Sequence, residues 1–215
     1  MNDGIARLLS VASDSLSVGI AKHESSHAPG LPEKIGQKLS ELLAHRNGFY
    51  AFESALLFRP FDSEIPPFGV LQWNNPLLWK CEFKVNLNDI FFFAEDIFGI
   101  QFCIKDELIY SFDPETSELK LVAATLEEWC RWILEDSKTR TGWPIAHCWQ
   151  LKQGSLRPGM RLLPKVPFVL GGSFEIENLY EVGDVEGMRF RADIANQIHS
   201  CPDGSKVVLS IKRRK

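Results

Sequence analysis

Four short apolar segments, joined by links too short to hold a helix, constrain this chain more than any other feature. They cover residues 90–94, 100–104, 107–112 and 119–122, and Gly99, Lys105-Asp106 and Asp113-Pro114-Glu115-Thr116 separate them. Apolar and β-branched runs of this length bounded by glycine, proline and aspartate read as strands. A parallel crossover needs a dozen or more residues, so the segments are predicted to form an antiparallel meander. Such a sheet needs cover on its apolar face. Thr125 followed by Glu128 makes a capping box, and Leu126, Trp129, Cys130, Ile133 and Leu134 form one apolar helical face behind it. Trp129 is therefore expected in the core.

Upstream, Ile35, Leu39, Leu42 and Leu43 recur at helical spacing, Pro32 suits a first turn, and Gly48 after Asn47 suits a left-handed stop. Residues 23–30 read as a connector from an N-terminal helical segment, and residues 49–61, rich in aromatics, as a short strand or helical turn, with Pro60, Pro66 and Pro67 breaking the loop that follows. Downstream, helices are expected near 144–152 and 188–199, a turn at Gly171-Gly172, and strands near 178–182 and 206–211. The fold class is α+β: a largely antiparallel sheet flanked by helices. Residues 1–30 are the N-terminal segment and connector, 31–136 an α+β core, and 137–215 a C-terminal α+β extension expected to pack on the same domain.

Bulk properties narrow the function. Hydrophobic residues make up 45% of the 215, enough for a sizeable core, and the net charge is only −4. The chain lacks the basic field of a direct nucleic-acid binder. Five cysteines, Cys81, Cys103, Cys130, Cys148 and Cys201, include no C-x-x-C pair. This pattern fits buried thiols in a reducing compartment, with neither disulfides nor a zinc site expected. Asp3 and Asp14 interrupt any export-signal pattern, and no apolar run approaches the ~20 residues of a membrane helix, so a cytoplasmic protein with no membrane contact is expected.

Certain residues also carry a family resemblance. Gly48-Phe49-Tyr50-Ala51-Phe52-Glu53-Ser54-Ala55-Leu56, Trp73-Asn74, Phe93-Ala94-Glu95-Asp96-Ile97-Phe98-Gly99, Phe112-Asp113-Pro114 and Leu126-Glu127-Glu128-Trp129 resemble the bacterial SUKH superfamily over residues 31–136. That superfamily includes immunity proteins against polymorphic toxins and a fungal regulator of cell-wall synthesis. The tail, through Pro167-Phe168-Val169-Leu170-Gly171-Gly172 and Glu177-Asn178-Leu179, is similar to type VI secretion immunity proteins that neutralise DNase effectors. Both resemblances imply a protein that holds a cognate toxin, with no cofactor and no catalytic residue of its own. A regulatory interaction module of the fungal type is the alternative, and a hydrolase the more distant one.

The charge distribution suggests where a partner would bind. Residues 1–81 carry a net −1, residues 82–136 a net −9 and residues 137–215 a net +6. The middle and tail either neutralise each other inside the fold or leave an acidic face for a basic partner, and a nuclease toxin would present such a basic cleft. On the second reading Glu95, Asp96, Asp106, Glu107, Asp113 and Glu115 form a carboxylate rim, and Trp73 and Trp79 are the candidate anchors. The same acids also suit turn geometry, and the tryptophans also suit a core. The Gly171-Gly172 pair reads as a tight turn requiring positive φ. The basic end, Lys212-Arg213-Arg214-Lys215, reads as a solvated terminus.

Overall fold

Turn chemistry dictates the sheet. In the computed structural model, which describes residues 3–17, 31, 33–202, 204–208 and 210, the four expected segments are β3 (Phe91–Asp96), β4 (Gln101–Lys105), β5 (Leu108–Asp113) and β6 (Glu118–Ala123). All pair antiparallel with their sequence neighbours. Asp106 and Glu107 both hold positive φ, 50° and 60°, between β4 and β5. Two such residues are the pattern of a type I′ hairpin, whose twist matches that of the strands. Two further strands, β1 (Phe49–Ala51) and β2 (Leu56–Phe58), extend the meander to six in the order β1-β2-β3-β4-β5-β6. Gly48, at φ 72°, ends the preceding helix in the left-handed conformation its position required.

Alternation along β3 divides the interior into two layers. Phe91 and Phe93 point to one face, which is covered by α1 (Asp3–Ser10), α2 (Glu33–His45) and α4 (Leu126–Glu135). Ile35, Leu39, Leu42 and Leu43 of α2 are all buried there, each contributing about 1.5–3 kcal/mol relative to exposure. Trp129 of α4 is fully buried against Phe58, Phe93 and Phe102. Thr125 Oγ1 accepts from Glu128 N at 3.1 Å, and Glu128 Oε2 in turn accepts from Ala124 N at 3.0 Å, one residue before the cap itself. Phe92 points to the opposite face. Its neighbours there are Trp73 from α3 (Val70–Trp73), Trp79 and Phe83 from the following segment, and Met188, Ala192 and Ala195 of α7 (Asp184–Ile198).

The C-terminal region packs on this core. After α5 (Ser137–Thr141) and α6 (Trp143–Gln153), β7 (Met160–Pro164) and β8 (Leu179–Gly183) form a separate antiparallel pair, and a third apolar cluster joins them to Ile97 and Phe98. Several sequence expectations need correction. Of the strand expected at 206–211, the described residues 206–208 and 210 are not in a strand, and Ser210 is tied instead to Gln197. Ile211, the connector at 23–30 and Pro32 lie outside the described residues. Only Cys103 and Cys130 are buried, whereas Cys81, Cys148 and Cys201 are exposed. No helix among the described residues is long and apolar enough to cross a membrane.

Candidate functional site

Most of the predicted rim residues face inward. Trp73 and Trp79 are fully buried because the segment after α3 folds back under α7. Trp73 Nε1 donates to Gln101 Oε1 at 2.9 Å, and Trp79 Nε1 donates to the Trp73 carbonyl at 3.0 Å. These rings anchor the core and no surface. Glu95, Asp96 and Glu115 are likewise buried, Asp113 and Glu107 are half-buried, and Asp106 alone is exposed. Glu107 accepts from Lys34 N and Ile35 N, capping α2, and Asp113 Oδ1 accepts from Glu115 N to shape the β5–β6 turn. The six acids therefore do not form one exposed face.

Burial of Glu95 is made possible by arginines that sequence reasoning did not single out. Arg161 Nε approaches Glu95 Oε1 at 2.7 Å and Arg59 Nη2 approaches the same oxygen at 3.0 Å. Arg59 Nη1 reaches Asp184 Oδ2 at 3.1 Å, and the Arg59 guanidinium lies 3.3 Å from the centre of the Trp73 ring. The result is a buried chain of two cations and two anions, Arg161–Glu95–Arg59–Asp184, drawn from β7, β3, the end of β2 and the start of α7. Desolvation raises the Glu95 pKa, but Arg59 and Arg161 outweigh it and hold the carboxyl below its usual range. Burial wins at Asp184, whose pKa is raised. A neutralised chain of this kind joins the meander to the C-terminal region.

Beside this chain lies a pocket of about 440 Å³ at the end of the sheet. The β3–β4 turn supplies Asp96, Phe98 and Ile100, the β5–β6 turn supplies Asp113, Pro114 and Glu115, and Arg191 of α7 joins them. Phe168 and Phe174 form the outer wall, stacked on each other at 4.0 Å with 8° between their planes. Phe98 meets both edge-on at 5.4 and 5.5 Å. The backbone holds this aromatic wall in place. Gly171 turns at φ 87°, and a Cβ on Gly172 would lie 1.9 Å from the Val166 carbonyl oxygen, so only glycine fits. Asn178 Nδ2 donates to the carbonyls of Val166 and Ser173, and Val169 N donates to Glu115 Oε2 at 2.9 Å.

The polar floor is unusual in its protonation. Asp96 Oδ1 accepts from Phe98 N at 2.9 Å and Ile100 N at 2.8 Å, yet burial pushes its pKa up to about 8. Burial also raises Glu115, whose Oε1 has no hydrogen-bond partner among the described residues. Arg191 Nη2 donates to the carbonyls of Phe98 and Leu162, which fixes it against the backbone. Phe98 and Phe168 stood in the sequence only as parts of the resemblance motifs, and Phe174 and Arg191 were not singled out; the excess of positive charge in the tail was the available signal for Arg161 and Arg191. Among the described residues, no group of three or more His, Cys, Asp or Glu side chains is placed to hold a metal ion.

No protein-family model matches this chain, and no curated protein does. Among solved structures it is similar to the crystal structure of Atu4351 from Agrobacterium tumefaciens, with a TM-score of 0.59 at 12% identity over 89% of this chain and 88% of that one. A likeness at that identity is one of fold. The likeness extends over most of both chains, and in this chain the α+β architecture comprises a six-stranded antiparallel meander and a smaller second sheet.

Proposed function

We propose that this protein is an immunity-type binding protein of the SUKH kind, acting in the cytoplasm by covering the working surface of a cognate toxin domain. The observation that carries the reading is the Phe168–Phe174 pair, presented at the mouth of a preformed pocket. Phe174 is 56% exposed and Val166 and Val169 beside it are 51% and 38% exposed, which makes an apolar projection on a backbone fixed by Gly172 and Asn178. Rigid aromatic side chains beside a pocket are the usual energetic centre of a protein interface. Around such a centre a partner would bury about 800 Å² on each side. The sequence resemblances in the core and the tail point to the same class of function.

The test is protection by co-expression. The chain is produced with each nuclease toxin domain encoded in its own genome, and growth and nuclease activity are followed. The expected result is rescue by one of them, with a stoichiometric complex whose nuclease is inactive. Phe174→Asp, on an exposed ring, should weaken that complex while leaving the melting temperature unchanged. Full toxicity with every such domain, at saturating amounts of folded chain, would overturn the proposal.

A further inference from the structure

Resting on that reading, we infer that the pocket receives a cationic side chain of the partner, an arginine, whose stem lies along Phe98, Phe168 and Phe174 and whose guanidinium donates to Glu115 Oε1. Glu115 lines the pocket, is only 4% exposed, and has one oxygen without a partner. A buried acceptor left unmatched costs free energy that an incoming donor recovers. Its second oxygen is already taken by Val169 N, so the aromatic wall and this carboxylate are mechanically joined.

The pocket's charges decide what kind of donor fits. Asp96, Asp113 and Glu115 line it together with Arg191 and Lys138. Arg191 is held through its Nη2, which donates to the carbonyls of Phe98 and Leu162. Lys138 is exposed at the rim and free to swing away. An anion would add a further negative charge beside Asp113 and Glu115. A neutral amide would satisfy Glu115 Oε1 but gain nothing from the neighbouring Asp113 carboxylate. A guanidinium meets both demands, and its planar face stacks on phenyl rings. Its methylene stem also covers apolar wall that is otherwise wet.

The probe is N-acetyl-arginine amide, titrated into the full chain and followed by amide chemical shifts, with N-acetyl-citrulline amide as its uncharged isostere. Shifts are expected to cluster at Phe98, Gly99, Glu115 and Gly171, with the citrulline compound about tenfold weaker, the scale of one charge-assisted hydrogen bond. Glu115→Gln should bring the two probes to equal affinity. Phe174→Ala, on a side chain outside the core, should weaken both by a similar factor with the fold intact, so the inference stays testable if the Glu115 variant does not fold. Equal affinity of both probes for the wild type, or shifts confined to the exposed Asp106 turn, would overturn it. Toxin neutralisation without arginine binding in the pocket removes this inference and keeps the proposed function. Arginine binding in the pocket with no toxin neutralised does the reverse.

Discussion

Glu95→Gln is the substitution that most directly probes how the C-terminal region is held to the meander. In the wild type one carboxylate serves two buried guanidiniums, Arg161 at 2.7 Å and Arg59 at 3.0 Å, and accepts from Gln101 Nε2 at 2.7 Å. The amide keeps the shape but removes the charge, leaving Arg59 and Arg161 to share Asp184. It also sets one amide donor against Gln101 Nε2. Gln101 cannot flip to relieve this, because its Oε1 holds Trp73 Nε1. Breaking a buried ion pair costs about 3–5 kcal/mol, a large share of the 5–15 kcal/mol typical of a domain. Urea unfolding followed by tryptophan fluorescence measures the loss. Adding Arg161→Met removes the orphaned cation and leaves Arg59 paired with Asp184. The double variant should therefore be more stable than the sum of the two single losses by at least about 1 kcal/mol. Glu95 has a folded pKa held below its unfolded value near 4.3, so its contribution is present above that pH and is lost as pH falls through the folded pKa. Glu95→Gln should accordingly flatten the acid limb of stability against pH. Strict additivity of the two substitutions, or a loss within about 0.5 kcal/mol for Glu95→Gln, would refute the reasoning.

Other perturbations test the remaining parts of the structure. Trp129→Ala should cost about 3–5 kcal/mol in the same unfolding assay. Trp129→Phe should cost less than that, because it keeps an aromatic ring while removing an indole Nε1 that is buried without a partner. Asp96→Asn keeps an oxygen for Phe98 N and Ile100 N but removes a carboxyl whose folded pKa, about 8, lies above its unfolded value near 3.9. The folded state then binds the extra proton between those values, so wild-type stability should fall as pH rises from about 4 to 8, and thermal melts of the variant should show a shallower decline. Gly142→Ala places a Cβ 2.4 Å from Phe98 Cε2 at φ 69° and should lower stability by about 1–3 kcal/mol, with the near-ultraviolet circular dichroism of the pocket aromatics altered.

The β3–β6 part of the meander was legible because its information is local. Strand lengths and two- to four-residue links appear directly in the order of residues, and the α4 cap is a pattern spanning four positions. β7 was not legible, since Arg161 inside it and Pro164 at its end break the apolar run, and only the distant Glu95 makes that arginine a buried residue. The same limit applied to the site. Nothing near Trp73 in sequence states that α7, more than a hundred residues later, covers it. Hydrophobic character places a tryptophan equally well in a core or in an interface, so its burial here depended on long-range packing. The Gly171-Gly172 turn was recognised from its residues, but its role in fixing Phe168 against Phe174 depends on Val166, Asn178 and Glu115 converging in space.

The concentration of acid in residues 82–136 has a structural explanation that joins these observations. The meander folds from local contacts, whereas the segments before and after it must be recruited from a distance, and its carboxylates perform that recruitment. On the N-terminal side Glu127 accepts from Gly4 N at 2.6 Å and Ile5 N at 3.2 Å at the start of α1, while Glu107 accepts from Lys34 N and Ile35 N at the start of α2. Carboxylates at helix N-termini satisfy donors that no turn of the helix can meet and complement its dipole. On the C-terminal side Glu95 holds Arg161, and Glu115 accepts from Val169 N. Four of the thirteen acids in this segment thus bind the flanks to the sheet, which accounts for part of the opposite charges of middle and tail. Asp89, Asp106, Glu118, Glu128, Glu135 and Asp136 remain exposed, so any steering of a basic partner falls to them. The pocket stands where the two uses meet: Glu115 helps fix the tail through Val169 and still offers one oxygen to whatever enters between Phe98 and Phe174.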